Sequence, residues 1–327
     1  MAAGRVLVTG ASGFIGRTLV PALAEAGYAV RAAARDPATI GSSHGRVEAV
    51  LMPDIRSGGV DWNGLVQGCE FVVHLAGIAH ASSAIPDADY HAVNCEAVRA
   101  LAQAARRDGA KRVVYVSSVR AQTGPVADGI IEETTPPGPT DAYGRAKLAG
   151  EQALAEALGG AATDWVTLRP VLVYGPSVKG NMAALVKLAR LPVPLPLQSL
   201  KGRRSILSVD NLASAIVHCL TGAEVSRRVF LVADIAPMRV SEIVAAMRKG
   251  LKRPPRLFAL PTGPLALAAK LAGMGDAWAR LDGDLVVSTE ALRESGWQPV
   301  VGTSKALADM VRADVTFSSC RFSIRSP

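Results

Sequence analysis

The stretch RVLVTGASGFIG, residues 5–16, joins a short apolar run to three glycines that are spaced three residues apart. The run predicts a buried strand, and Phe14–Ala26 has the spacing of an amphipathic helix. Gly10 permits a tight turn, Gly13 lets the backbone approach a pyrophosphate, and Gly16 lets the helix pack close to the strand. Unpaired N–H groups at the start of the helix would face the phosphates. The stretch therefore predicts a strand–turn–helix unit that binds a dinucleotide.

Strand and helix patterns alternate through the first half of the chain. Short runs rich in β-branched residues lie between amphipathic stretches, as is typical of parallel strands covered on both faces. We therefore predict an α/β fold with a doubly wound, parallel, Rossmann-type sheet. After the first strand, the predicted strands are Ala29–Ala33, Val47–Leu51, Glu70–Leu75, Arg112–Ser117 and Thr163–Arg169, and the predicted helices are Trp62–Gln67, His91–Arg107 and Asp141–Leu158.

The pattern changes after the sixth predicted strand. A proline-rich loop, Leu191–Pro196, breaks the rhythm, and shorter helices surround one more strand at Val229–Val232. We predict a dinucleotide-binding domain over residues 1–175 and a smaller, mainly helical substrate-binding lobe over residues 176–313. Residues 314–327 show no periodicity and are expected to form a flexible tail. The predicted helices of the lobe are Asp210–Leu220, Ser241–Gly250, Thr289–Ser295 and Thr303–Arg312.

The formal net charge of +8 suggests anionic partners. The charge is spread along the chain, with its densest cluster at Lys201, Arg203 and Arg204, and it suits phosphate-bearing small molecules. Only 5% of the residues are aromatic, so platforms for stacking nucleic-acid bases are not expected. We expect no nucleic-acid partner.

The cysteines are far apart and form no CxxC pair, which predicts reduced, buried thiols and no metal site. The strand pattern begins at Arg5 and leaves no room for a signal peptide. The most apolar later stretch, Pro264–Met274, is too short to span a bilayer. We expect a cytoplasmic protein without membrane insertion. The four cysteines are Cys69, Cys95, Cys219 and Cys320.

Further motifs follow the glycines, which here have the spacing TGxxGxxG. They are VVHLAG at residues 72–77, YHAVN at 90–94, YGRAK at 143–147 and RPVLVYGP at 169–176. Together they resemble the motifs of the extended short-chain dehydrogenase/reductase family. The group that they resemble most is that of the NAD(P)-dependent nucleotide-sugar epimerases and dehydratases, which includes UDP-galactose 4-epimerase. The resemblance covers the chain to about residue 312 and implies an NAD(P)-dependent oxidoreductase of polysaccharide pathways.

Tyr143 and Lys147 lie four residues apart in a predicted helix and therefore share one face. A tyrosine titrates near pH ~10 in water, and an ammonium group one turn away favours the phenolate. The pair could then serve as a general acid and base for a hydroxyl proton. The resemblance implies a serine or threonine as third member. We favour Ser118, with Ser117 as the alternative, because Val119 stands where many relatives carry a further Ser or Thr.

The resemblance also implies the cofactor contacts. The position that selects NAD falls at Ala34, which cannot bind a ribose hydroxyl, whereas Arg35 would suit a 2′-phosphate, with Arg31 on the same strand. Asp36 and Pro37 read as a turn and helix start. NADP is therefore favoured, and NAD stays open. The predicted cofactor-binding residues are Gly10, Ser12, Gly13, Phe14, Ile15, Gly16, Arg35, Asp54, Ile55, Leu75, Ala76, Gly77, Asn94, Tyr143, Lys147, Pro170 and Val173.

For the substrate, the resemblance implies a nucleotide sugar. Asn181 and Arg204 are the candidate contacts to its diphosphate, and Ser118 would contact the reacting oxygen. The predicted reaction is hydride transfer at C4, in a 4-epimerase or a 4-ketoreductase. Two alternatives stay open. One is an NADPH-dependent reductase of a hydrophobic carbonyl, similar to flavonoid or steroid reductases, and the other is a non-catalytic NADP-binding regulator.

A homodimer is expected from two predicted helices, His91–Arg107 and Asp141–Leu158. Both carry apolar residues around more than one face, and a helix buried on two sides needs a second partner. The resemblance implies that this pair meets its copy in a four-helix interface.

Overall fold

The computed structural model describes residues 3–41, 45–79, 84–273 and 275–322. A seven-stranded sheet lies at its centre, and every neighbouring pair of strands is parallel. In chain order the strands are β1 (Arg5–Thr9), β2 (Ala29–Ala34), β3 (Val47–Leu51), β4 (Phe71–His74), β5 (Arg112–Val116), β6 (Asp164–Pro170) and β7 (Arg228–Val232). Their spatial order is β7-β6-β5-β4-β1-β2-β3. The predicted doubly wound α/β sheet is confirmed.

Helices cover both faces of this sheet. The helices are α1 (Gly16–Glu25), α2 (Trp62–Val66), α3 (Asp87–His91), α4 (Ala97–Asp108), α5 (Ala142–Ala157), α6 (Gly180–Arg190), α7 (Val209–Thr221), α8 (Val240–Gly250), α9 (Thr262–Leu271), α10 (Gly275–Asp282), α11 (Glu290–Glu294) and α12 (Thr303–Phe322). Val6 and Val8 point towards α1 and α7, whereas Leu7 points towards α2, α4 and α5. This alternation divides the apolar core into two layers.

A third apolar cluster lies beyond the sheet, among α6, α8 and α12. Tyr174 belongs to this cluster, and its hydroxyl donates to Asp234 at 2.8 Å. Asn211 donates to the same carboxylate at 2.7 Å. Short strand pairs complete the lobe, namely Leu172–Tyr174 with Ile206–Ser208, Arg203–Arg204 with Met238–Arg239, and Ile130–Ile131 with Val286–Val287.

Three features differ from the sequence expectation. The predicted helix His91–Arg107 starts earlier and is interrupted by a π-helical turn, Ala92–Glu96, between α3 and α4. Helices α6, α9 and α10 were not predicted. The strand expected in the substrate lobe is β7, which pairs with β6, and α7 packs against α1. The sheet therefore takes up chain from beyond residue 175, and the lobe is built from segments on both sides of β7.

The last helix, α12, extends to Phe322, so the backbone is helical over much of the segment expected to form a flexible tail. Residues 323–327 lie outside the described part of the chain, and flexibility of the tail stays a prediction. Among the helices of the described residues, none combines the length and apolar character needed to cross a membrane.

The apolar residues that suggested a homodimer have partners within the single chain. The outer surface of α4 and α5 is charged instead, and Arg99 donates to Glu156 at 3.0 Å. The homodimer stays a prediction, but the argument from unpaired apolar faces was wrong because these side chains pack internally. The residues buried in the chain are Val93, Ala97, Val98, Leu101, Leu154 and Leu158, whereas Leu148 is half-buried.

Candidate active site

The candidate active site lies at the carboxyl ends of the central strands. The strand order reverses between β1 and β4, and such a switch point is where open α/β sheets bind ligands. Thr9, the last residue of β1, fixes this point, because its hydroxyl accepts from the N–H of Ala76 at 3.3 Å and lies 2.8 Å from Nδ1 of His74. The ends of β1 and β4 are thereby held together.

The three glycines after β1 form a cradle with little spare room. Gly10 has a φ of +69°, and a Cβ atom there would lie 2.9 Å from the backbone N of Ala76. A Cβ at Gly16 would overlap the carbonyl oxygens of Gly10 and Ala11. Among the described residues, no side chain caps α1. The N–H groups of Arg17 and Thr18 donate to the carbonyls of Gly13 and Ile15, and the positive end of the helix dipole faces the glycines. These residues fit the diphosphate of a dinucleotide.

Asn94 supports the other wall of the cradle, the segment that follows β4. It lies in the π-helical turn and is buried. Its amide accepts from the N–H of Ile78 at 3.0 Å and donates to the Ile78 carbonyl at 3.1 Å. A Cβ at Gly77 would lie 2.7 Å from Asn94 Oδ1 and 3.3 Å from Lys147 Nζ. Asn94, predicted to bind the cofactor, thus positions the predicted contacts Leu75–Gly77.

Tyr143 lies in the first turn of α5. Asp141 caps this helix by accepting from the N–H of Gly144 at 2.7 Å. Burial raises the pKa of the Tyr143 hydroxyl, whereas its hydrogen bond with Ser118 and the positive charge of Arg120 act in the opposite direction. The phenol is therefore neutral at pH 7, and Ser118 is its neighbouring hydroxyl.

Lys147 lies one turn further along α5 and is buried. It donates to the carbonyl of Val116 at 3.1 Å and lies 4.8 Å from the centre of the Tyr115 ring. Burial lowers the pKa of Lys147 to about 8. The sequence predicts that its ammonium group acts on Tyr143, whereas the cation that lowers the pKa of Tyr143 in this structure is Arg120.

The two adjacent serines after β5 have different surroundings. Ser117 donates to Oε1 of Glu151, and Glu151 forms a buried ion pair with Arg169 at 2.6 Å. Ser118 lies beside Tyr143, and its Oγ accepts from the N–H of Arg120 at 3.1 Å. The geometry favours Ser118 as the residue facing a substrate, because the hydroxyl of Ser117 is committed to the buried network.

Arg120 is a site residue that the sequence reasoning did not assign. Its Nη2 pairs with Asp141 at 2.5 Å. Its Nη1 is buried, and no residue of the described chain accepts a hydrogen bond from it. The signal was a charged residue two positions after Ser118. Arg120 therefore offers an unused donor beside Tyr143.

Of the residues expected near the adenosine half of the dinucleotide, some are occupied by contacts within the chain and one is exposed. Asp36 caps the 3₁₀ turn Pro37–Thr39 by accepting from Ala38 at 3.1 Å, as its sequence predicted. Arg31 is committed elsewhere and donates to the carbonyl of Gln67 at 2.7 Å. Arg35 instead has a side chain that is 74% exposed and lies 3.9 Å from Asp54. Arg35 is thus the basic side chain that stays accessible after β2.

Asp54 and Ile55, expected at the adenine, begin a 3₁₀ turn after β3. Asp54 pairs with Arg56 at 2.7 Å, and the hydrogen bonds from Arg56 lower the pKa of Asp54 to about 2. This carboxylate is charged throughout the physiological range. It would place a negative charge near Arg35.

The expected substrate contacts lie in the second lobe. Arg204 donates to the Pro125 carbonyl through Nη1 at 3.0 Å and Nη2 at 2.9 Å, and to the Arg280 carbonyl at 3.1 Å. Arg204 thus connects the loop after β5 to α10. The sequence predicted a contact to the substrate diphosphate and did not predict these bonds to backbone carbonyls. Asn181 is exposed in the first turn of α6. Pro170 ends β6, and Val173 lies in the strand that follows.

One cluster of side chains that could bind a metal ion occurs among the described residues, although the sequence predicts no metal site. Side-chain atoms of His91, Cys95 and Glu96 lie within 4.8 Å of one another. Burial raises the pKa of the Cys95 thiol, which disfavours the thiolate that binds metals. The group has no further support as a metal site.

The chain matches the model of the NAD dependent epimerase/dehydratase family over residues 6–233. It is 31% identical over 301 residues to the UDP-glucose 4-epimerase of Vibrio cholerae, with 90% of each chain covered. It is 30% identical over 287 residues to the ceramide reductase of Caulobacter vibrioides, covering 86% of this chain and 80% of that protein. A structure of MoeE5 in complex with UDP-glucuronic acid and NAD is 25% identical, with a TM-score of 0.73 over 97% of this chain and 100% of that chain.

The fold and the motifs define an enzyme of the extended short-chain dehydrogenase/reductase type that depends on a nicotinamide dinucleotide. The chain belongs to the NAD dependent epimerase/dehydratase family, because the family model matches more than half of it. The sequence prediction of family and enzyme class is thereby confirmed, and the alternative of a non-catalytic regulator is set aside.

Proposed function

We propose that this enzyme carries out redox chemistry at C4 of a nucleotide-diphospho-sugar. The observation that carries the proposal is the placement of Ser118 beside Tyr143 on a helix that also brings Lys147 to Gly77 of the cradle. Epimerisation is the version supported by the Vibrio cholerae relative, which matches over 90% of both chains. A 4-ketoreductase would use the same residues but stop after a single hydride delivery.

The side chains suggest how the proton moves. A sugar hydroxyl would bind between Ser118 Oγ and Tyr143 Oη, and Tyr143 would take its proton. The bound nicotinamide supplies the hydride acceptor. Burial disfavours the phenolate, so Tyr143 needs nearby positive charge, which Arg120 provides in this structure and Lys147 can add. Lys147 would remain fixed by the Val116 carbonyl.

The proposed substrate contacts are two arginines and one asparagine. Arg120 lies close enough to Arg204 for its charge to add to the lowering of the Arg204 pKa, of which burial is the main cause. Two cations this close favour an anionic ligand such as a diphosphate. Asn181 is a third proposed contact. NADP is the cofactor we propose, because Arg35 is a basic and exposed side chain directly after β2.

The test is an assay of purified enzyme with UDP-glucose, UDP-galactose or a 4-keto nucleotide sugar, in the presence of NAD, NADP or NADPH. An epimerase interconverts the sugars without net use of cofactor, whereas a ketoreductase consumes NADPH with a 4-keto sugar. Tyr143→Phe should lower turnover at least ~10²-fold with cofactor affinity nearly unchanged. Tyr28→Phe, a buried phenol packed against Phe71 outside the site, is the matched control. Near-normal turnover of Tyr143→Phe would refute the assignment.

A reductase of hydrophobic carbonyls is the second candidate. It is favoured by the resemblance to ceramide reductase over 86% of the chain. NADPH consumption with a long-chain ketone, together with no conversion of any nucleotide sugar, would select this alternative.

A further inference from the structure

The excess of cationic over anionic residues is concentrated in two segments of the chain. Residues 187–201 and 248–271 contain nine of the 36 Lys and Arg residues and none of the 28 Asp and Glu residues. The rest of the chain, with 27 cationic and 28 anionic side chains, is close to neutral. The positive charge of the protein therefore comes from these two segments.

The two segments meet in the folded chain. Leu195 forms a β-bridge with Leu257, and the N–H of Phe258 donates to the Leu195 carbonyl at 3.0 Å. Arg256 donates to the carbonyl of Pro192 at 3.1 Å, and Arg253 donates to that of Arg190. Separate stretches of sequence thus form one surface, which we call the basic–apolar face.

The same two segments expose large apolar side chains. Of twelve exposed large hydrophobic residues in the described chain, six lie in these two segments. Leu267 and Leu271 are 59% and 81% exposed. They share one side of α9 with the exposed Lys270, since positions three and four apart are neighbours on a helix. The other four are Leu191, Val193, Phe258 and Leu260.

We propose that the basic–apolar face docks the enzyme onto the surface of an anionic phospholipid bilayer. Exposed leucines flanked by lysine and arginine, with no acidic residue between them, are the combination that binds at the headgroup boundary. A nucleotide or nucleic-acid ligand would match the charge but leave the leucines in water. A second copy of the chain would oppose its own positive charge across the interface. The binding is peripheral and spans no bilayer.

The test is co-sedimentation of the full chain with vesicles of phosphatidylethanolamine and phosphatidylglycerol, compared with vesicles of phosphatidylcholine alone. The wild type should pellet with the anionic vesicles, and added salt should release it because salt screens the attraction. Lys252→Gln with Lys270→Gln should lower the partition coefficient at least roughly tenfold. Leu267→Ser with Leu271→Ser should lower it to a similar degree.

The matched control is Arg5→Gln with Val300→Ser, which removes one exposed cation and one exposed apolar side chain outside the face. It should bind vesicles like the wild type. Unchanged melting temperatures of all variants show that the fold is intact. The proposal is overturned if the wild type stays in the supernatant with anionic vesicles at low salt, or if the face variants and the control bind equally. A dimer that the leucine variants dissociate, without vesicle binding, would also overturn it.

Discussion

Ser117 donates a short hydrogen bond to Oε1 of Glu151, and this contact separates the roles of two adjacent serines. The carboxylate also pairs with Arg169, which in turn donates to Gln122 at 3.0 Å. The network is buried, so it joins the end of β5 to α5 without facing the crevice. Ser118 is left beside Tyr143.

Exchange of the two serines for alanine should therefore give opposite results. Ser118→Ala removes the donor beside Tyr143 and should lower kcat by roughly 10²-fold or more, with little change in melting temperature. Ser117→Ala should leave kcat within a few-fold but lower the free energy of unfolding by about 1.5–3 kcal/mol, because Glu151 loses a hydrogen bond. Steady-state kinetics and thermal unfolding of both variants check this. A Ser117→Ala enzyme with lost turnover and normal stability would reverse the assignment.

The sheet could be predicted from the sequence because hydrophobic periodicity and turn residues are local signals. It could not divide Ser117 from Ser118, because their partners, Glu151 and Tyr143, come from a helix more than twenty residues later. The committed donors of Arg31 were hidden for the same reason.

Missed elements have comparable causes. Helix α6 begins after Lys179, with no side-chain cap to signal its start. Strand β7 was predicted as a strand but was assigned to the substrate lobe instead of the central sheet. Hydrophobic periodicity alone does not show which sheet a strand joins.

Lys147→Met should inactivate the enzyme and stabilise its fold. The folded pKa of Lys147, about 8, lies below its ordinary value of 10.5 because of burial. Between pH 8 and pH 10.5 the unfolded chain therefore binds more protons than the folded chain. The free energy of unfolding of the wild type rises with pH over this range. Below pH 8 the variant should gain about 2 kcal/mol, since ~3 kcal/mol of unfavourable burial is relieved and one hydrogen bond is lost.

Denaturant unfolding at pH 7 and pH 10.5 measures this difference between the two proteins. The advantage of Lys147→Met should shrink towards pH 10.5. A variant that is less stable than the wild type at pH 7 would contradict a charged, buried Lys147.

Arg120→Gln and Asp141→Asn should shift the pH profile in opposite directions. The positive charge of Arg120 lowers the pKa of Tyr143, and the negative charge of Asp141 raises it. If turnover needs the phenolate, its acidic limb should move to higher pH in Arg120→Gln and to lower pH in Asp141→Asn. Arg120→Gln should also raise KM for the nucleotide sugar about tenfold, because a charge-assisted contact is lost. Shifts of the same sign in both variants would show a merely structural role for the pair.

Cofactor choice depends on Arg35, the exposed basic side chain after β2. A contact to a 2′-phosphate would be worth roughly 1.5–3 kcal/mol, or about one to two decades in affinity. Arg35→Ala should therefore weaken NADP(H) selectively, whereas NAD(H) should change little because Ala34 offers its ribose no partner. Asp36→Ala is the companion variant, since Asp36 is occupied as a turn cap and should leave both affinities nearly unchanged. Titration of both cofactors into the three proteins decides the matter. A wild type that binds NAD more tightly than NADP, with NAD weakened by Asp36→Ala, would overturn the assignment and make Asp36 the ribose ligand.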